Sequence, residues 1–68
     1  MDKIKAGKRL KKLRLDRMET LATVAQAVGI TVQALSLYEK GLRIPRDEIK
    51  LKLANYFNTT VDAIFFAE

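Results

Sequence analysis

The chain has 68 residues, of which 13 are basic and 8 acidic, a formal net charge of +5. It holds neither cysteine nor histidine, which excludes disulfides, Cys/His zinc sites, thiol nucleophiles and imidazole general bases together. Its length suits one domain, residues 1–68, and a composition 49% hydrophobic and 31% charged is that of a globular chain. No apolar run approaches the ~18 residues of a membrane span. The basic N-terminus lacks the continuous apolar stretch of a signal peptide. The expectation is a soluble cytoplasmic protein with no membrane partner, and the opening Met1 is what a complete gene product would show.

The charge is unevenly spread. Residues 1–17 carry eight basic and two acidic side chains; residues 18–68 carry five and six. Such an excess favours a polyanionic partner. It equally suits a solvated helix that aids solubility, and charge alone leaves both readings open.

The apolar pattern predicts five short helices, an all-α fold. The first runs from about Lys3 to Arg17, with Ile4, Leu10, Leu13 and Arg17 on one face and Lys5, Lys8, Lys12 and Asp16 on another. The second, Leu21–Val28, has Thr20 as its N-cap and Leu21, Val24, Ala25 and Val28 as its inner stripe. Gly29 stands where a helix ends in a left-handed turn. The third, Val32–Lys40, is capped by Thr31 and turns Leu35 and Tyr38 inward. Pro45 restricts the loop Leu42–Pro45. The fourth runs from Asp47 to Phe57, with Ile49, Leu53, Ala54 and Phe57 inward and Asp47 as its expected cap. The fifth, Val61–Phe65, begins at Thr60. The proline and the three glycines are all read as breaks between these stretches.

Residues 21–40 carry the strongest signal. Two helices flank a turn of about three residues, Gly29-Ile30-Thr31, the length of a helix-turn-helix. Ala25 is small where the helices cross, Gly29 takes positive φ without steric cost, and Val24, Val28, Ile30, Leu35 and Tyr38 fill the space between. Thr31 leaves amides at the start of the third helix suited to meet an anion.

The stretch from Val24 to Gly41 resembles the lambda-repressor-like (Xre) family of bacterial and phage regulators. Leu13-Arg14 is similar to that family's Leu-Arg pair in its first helix. Glu39-Lys40-Gly41 with Pro45 is similar to its Glu-x-Gly…Pro signature. Leu53-Ala54 and Thr60–Phe65 are similar to its last two helices. The resemblance implies a five-helix domain that binds double-stranded DNA, with the third helix in the major groove. It implies base contacts from Val32, Gln33, Ser36 and Leu37, on the side of the helical wheel opposite Leu35 and Tyr38. Gln33 suits adenine N6 and N7, Ser36 suits several bases, and Val32 and Leu37 suit thymine methyls. It implies phosphate contacts from Thr31, Lys40, Arg43 and Arg46, which set position rather than sequence. It implies a structural salt bridge between Arg14 and Glu39. No cofactor, metal or catalytic residue is expected.

The chain departs from the family in two places. The family's usual Gly-Leu-Thr-Gln run into the second helix is Met18-Glu19-Thr20-Leu21 here. Leu21 cannot make the phosphate hydrogen bond of that glutamine, and Glu19 brings negative charge near the expected backbone. The basic first helix would compensate if it approached phosphate, which the family geometry does not clearly provide. Arg46 stands where the family has a serine cap.

One reading helix spans few base pairs, so the resemblance implies a homodimer on a palindrome, a repressor by occupancy. Phe66 is the expected dimer contact, because Ile64 and Phe65 match core positions. A second class of reading is a protein-interaction module, antirepressor or antitoxin-like, that binds a regulatory protein on the same fold with weak DNA binding.

Overall fold

Asp2 opens the fold. The computed structural model describes residues 1–68, and in it the Asp2 carboxylate accepts the N–H groups of Ile4 and Lys5 at 3.0 and 3.1 Å. These are otherwise unpartnered amides of the first helical turn. The Lys5 amide foremost, and that of Ile4, hold the Asp2 carboxyl below its ordinary value of 3.8. Helix α1 follows, Lys3–Asp16. Met18 then takes φ +56°, and the chain turns into α2, Leu21–Val28.

Helix α2 begins at Thr20, whose hydroxyl accepts the Thr23 N–H at 3.1 Å. It ends at Gly29, with φ +82°. Ile30 N–H then reaches Ala25 O at 2.9 Å and Gly29 N–H reaches Gln26 O at 3.3 Å, the paired bonds of a Schellman turn. Thr31 restarts the chain as α3, Val32–Glu39, its hydroxyl accepting the Ala34 N–H at 3.0 Å. The chain axis turns by 110° between α2 and α3. That lies within the ~90–120° range of a helix-turn-helix.

Helix α4 is Asp47–Tyr56. Its cap position is Arg46, and no side chain caps it, which corrects the expectation for Asp47. Asp47 sits inside the first turn with Glu48, where both carboxylates face the positive end of the helix. The fifth element is not an α-helix but a π-helical turn, Asp62–Phe66. Thr60 Oγ1 accepts the Ala63 N–H at 3.0 Å. The Arg9 guanidinium donates to Ile64 O at 2.9 Å and to Ala67 O at 2.6 Å. Those donors from α1 stand in for the continuing helix, which is why so short a segment holds a rare geometry.

Leu10, Val24, Leu35, Leu53, Ile64 and Phe65 are almost wholly buried and form the centre. Two expectations for α1 are corrected. Ile4 is 59% exposed, and the inner face is Ala6, Gly7, Leu10 and Arg14. Gly7 is no break; it lies inside the helix. A Cβ there would stand 2.5 Å from the carbonyl oxygens of both Tyr38 and Glu39. Only glycine lets α1 lie this closely on the end of α3, and that contact fixes how α1 is rotated. Ile4 consequently packs at Gly41 rather than in the core.

Candidate nucleic-acid interface

Helix α3 has two unlike sides. Leu35 and Tyr38 are buried. On the other side Val32 and Gln33 are exposed, and Ser36 and Leu37 are half-buried. The inner pair anchors the helix to the core, so the outer set is held at fixed spacing. No other element of the chain covers Gln33, whose amide is open to a partner.

The brace behind this helix is a buried ion pair. Arg14 Nε lies 2.8 Å from Glu39 Oε2, and Arg14 Nη2 donates to Glu39 Oε1 at 2.9 Å. Arg14 Nη1 donates to the Glu19 carbonyl at 2.9 Å. The Arg14 and Glu39 side chains are 10% and 6% exposed. The hydrogen bond to Glu39 raises the Arg14 pKa above its ordinary value. A planar guanidinium matched to both carboxylate oxygens fixes angle as well as distance. One side chain thereby ties α1 to the end of α3 and to the loop leading into α2.

The positive groups around α3 differ in their freedom. Lys40 and Arg43 are exposed and make no ion pair. Arg46 Nη2 lies 3.3 Å from Glu48 Oε1, both side chains well exposed. Such a pair contributes only ~0–1 kcal/mol and yields readily to a stronger anion. The Thr31 hydroxyl is engaged as the α3 cap.

Glu19 and Leu21, the two departures, have distinct settings. Glu19 Oε1 lies 2.9 Å from Arg17 Nε, and the other carboxylate oxygen accepts the Tyr56 hydroxyl. That hydrogen bond, ahead of burial, raises the Tyr56 pKa above its ordinary 10.0. Arg17 also lies over the Tyr56 ring, 4.7 Å from its centre, and donates to the Tyr56 carbonyl at 2.9 Å. The charge of Glu19 is therefore neutralised within the fold and tied to the end of α4. Leu21 lines a shallow cleft of 140 Å³ with Lys11, Arg14, Ser36, Glu39 and Lys40.

Lys11 was not among the residues singled out from the sequence. Its signal was there: positions 7, 11 and 14 share one face of α1 at helical spacing. Once Arg14 reaches Glu39, Lys11 must stand beside α3.

Phe66 is 49% exposed, while Ile64 and Phe65 are buried. The Lys50 ammonium lies 5.4 Å from the Phe66 ring centre and 5.8 Å from that of Phe65. Lys50 is itself only 7% exposed, its ammonium 3.3 Å from Asp47 Oδ1. Its stem covers apolar surface while its head stays near a carboxylate, a setting the apolar pattern of α4 did not disclose. No cluster of three potential metal ligands occurs, and no single helix is long and apolar enough to cross a membrane.

A sequence model of the helix-turn-helix family matches residues 10–64, from the middle of α1 to the C-terminal turn. No curated protein and no solved structure matches the chain.

Proposed function

Because this chain belongs to the helix-turn-helix family of lambda-repressor-like DNA-binding regulators, we propose that it is a sequence-specific repressor that binds a palindromic operator as a homodimer. The observation that supports this reading best is the uncovered outer side of α3 on a rigidly braced, 110° helix pair. In this reading Gln33 bonds an adenine through N6 and N7, Ser36 reads an adjacent base, and Val32 and Leu37 pack on thymine methyls. Thr31, Lys40, Arg43 and Arg46 set the register on phosphates, Thr31 through the helix start that it caps. Phe66 supplies the apolar contact between two copies. Occupancy of a promoter by the domain excludes polymerase, and the working location is the bacterial nucleoid.

The test of base reading is Gln33→Ala. It should lower discrimination at one base position by ~1–3 kcal/mol and leave other positions unchanged. Equal loss of affinity on every sequence would make Gln33 a non-reading contact. The competing role, docking a regulatory protein in place of DNA, is favoured by departures from the family that weaken DNA contact, at Glu19 and Leu21. With Glu19 neutralised by Arg17, only Leu21 still argues for it.

A further inference from the structure

We propose that Lys11 of α1 and Lys40 of α3 together hold one phosphodiester of the bound duplex, across the cleft that Leu21 lines. This rests on the DNA-binding reading and adds to it an element, α1, that carries none of the expected contacts. The cleft is lined by Lys11, Arg14, Leu21, Ser36, Glu39 and Lys40. Its one carboxylate, Glu39, is saturated by the two-point contact with Arg14. Arg14 is in turn engaged by Glu39 and by the Glu19 carbonyl. Lys11 and Lys40 are left as exposed ammonium groups without an anionic partner, one on α1 and one at the end of α3, lining the same concavity. The Leu21 side chain brings no hydrogen-bond donor to it, so the side-chain donors left free for an anion there are the two lysines and the Ser36 hydroxyl.

Two features favour a DNA phosphate as that anion. Ser36 belongs both to the cleft and to the outer side of α3, so a duplex read by α3 carries its backbone past this opening. The distance between the walls is also fixed: Gly7 seats α1 directly on the Tyr38 and Glu39 carbonyls, and the Arg14–Glu39 pair locks it. The two helices that carry the lysines are thus held in place before DNA arrives, rather than gathered by it.

The experiment measures duplex affinity against salt for the full chain, Lys11→Gln and Lys12→Gln. Lys12 is the control because it pairs with Asp16 and lines a different groove with Arg9, Thr59 and Ala63. Both lysines are exposed, so both variants should fold, which an unchanged melting temperature checks. Lys11→Gln should weaken binding alike on all sequences and reduce the log–log salt slope by ~0.9. Lys12→Gln should leave the slope unchanged. An unaltered slope in Lys11→Gln overturns the proposal while the DNA-binding reading stands. So does an equal reduction in both variants, which would show a diffuse field rather than a contact. Absence of salt-sensitive binding in the unsubstituted chain overturns both.

Discussion

Arg14 ties α1 to the end of α3 and to the loop that leads into α2. It satisfies both oxygens of Glu39 and one backbone carbonyl, in a setting that admits little water. Removing it leaves the Glu39 carboxylate buried and without its cation. Loss of one partner in such a pair costs ~3–5 kcal/mol. For a domain of this size each kcal/mol shifts the melting temperature by ~4–8 °C. Arg14→Ala should accordingly lower the melting temperature by more than ~10 °C, as thermal denaturation followed by circular dichroism would record. A change of one or two degrees would mean that the pair positions α3 without stabilising it. The residue types of this brace were legible in the sequence only through the family resemblance. Spacing gives no reason to join positions 14 and 39, which come together because α1 crosses the end of α3.

At the scale of elements, the crossing of α1 and α3 decides the rest. The boundaries at Thr20, Gly29, Thr31 and Thr60 were legible because each is written locally, whereas no side chain caps the start of α4. Thr20, Thr31 and Thr60 accept N–H groups three residues on, and Gly29 takes the left-handed turn. The rotation of α1 was not legible. Ile4 carries the more apolar side chain, yet the buried positions are Ala6 and Gly7, since what matters there is closeness of approach and not hydrophobicity. The same contact makes an unusual prediction. In an exposed helix interior Gly→Ala gains ~1 kcal/mol. At Gly7 the new Cβ meets two backbone carbonyls at 2.5 Å, and neither can rotate away. Gly7→Ala should therefore destabilise, by ~1–3 kcal/mol or more, measurable by urea denaturation. A stabilised variant would show that α1 is free to lift off α3. The C-terminal π-helical turn was equally hidden from local pattern, because its carbonyls find their donors on Arg9, far away in sequence.

At the scale of the whole molecule, basic charge is in excess and the acids nearest α3 are neutralised. Exposed cations without an ion-pair partner include Lys11, Lys40 and Arg43 beside α3 and also Lys3, Lys5, Lys8 and Lys52, whereas Glu19 and Glu39 pair inside the fold. A net charge of +5 suits long-range attraction to a polyanion. Phe66 lies in the C-terminal turn, with Lys50 against its ring. A single chain reads too few base pairs for high specificity, so pairing through this surface would double the site. Phe66→Ser should leave the melting profile close to that of the unsubstituted chain, since Phe65 and Ile64 already fill the core. It should lower the sedimentation mass toward that of a monomer. Equal mass in both proteins would place the contact elsewhere. The candidate site as a whole was partly legible. The outer positions of α3 follow from the helical wheel, but Lys11 required knowing which face of α1 meets α3.

The most direct measurement is selection of bound duplexes from a random DNA pool at near-physiological salt, followed by sequencing. The expected result is enrichment of a palindrome with half-sites centred ~34 Å apart or a multiple of that, and an adenine in each half-site whose preference is lost in Gln33→Ala. Retention that falls with salt but enriches no sequence would contradict sequence-specific reading by α3 and leave only non-specific contact with the DNA backbone.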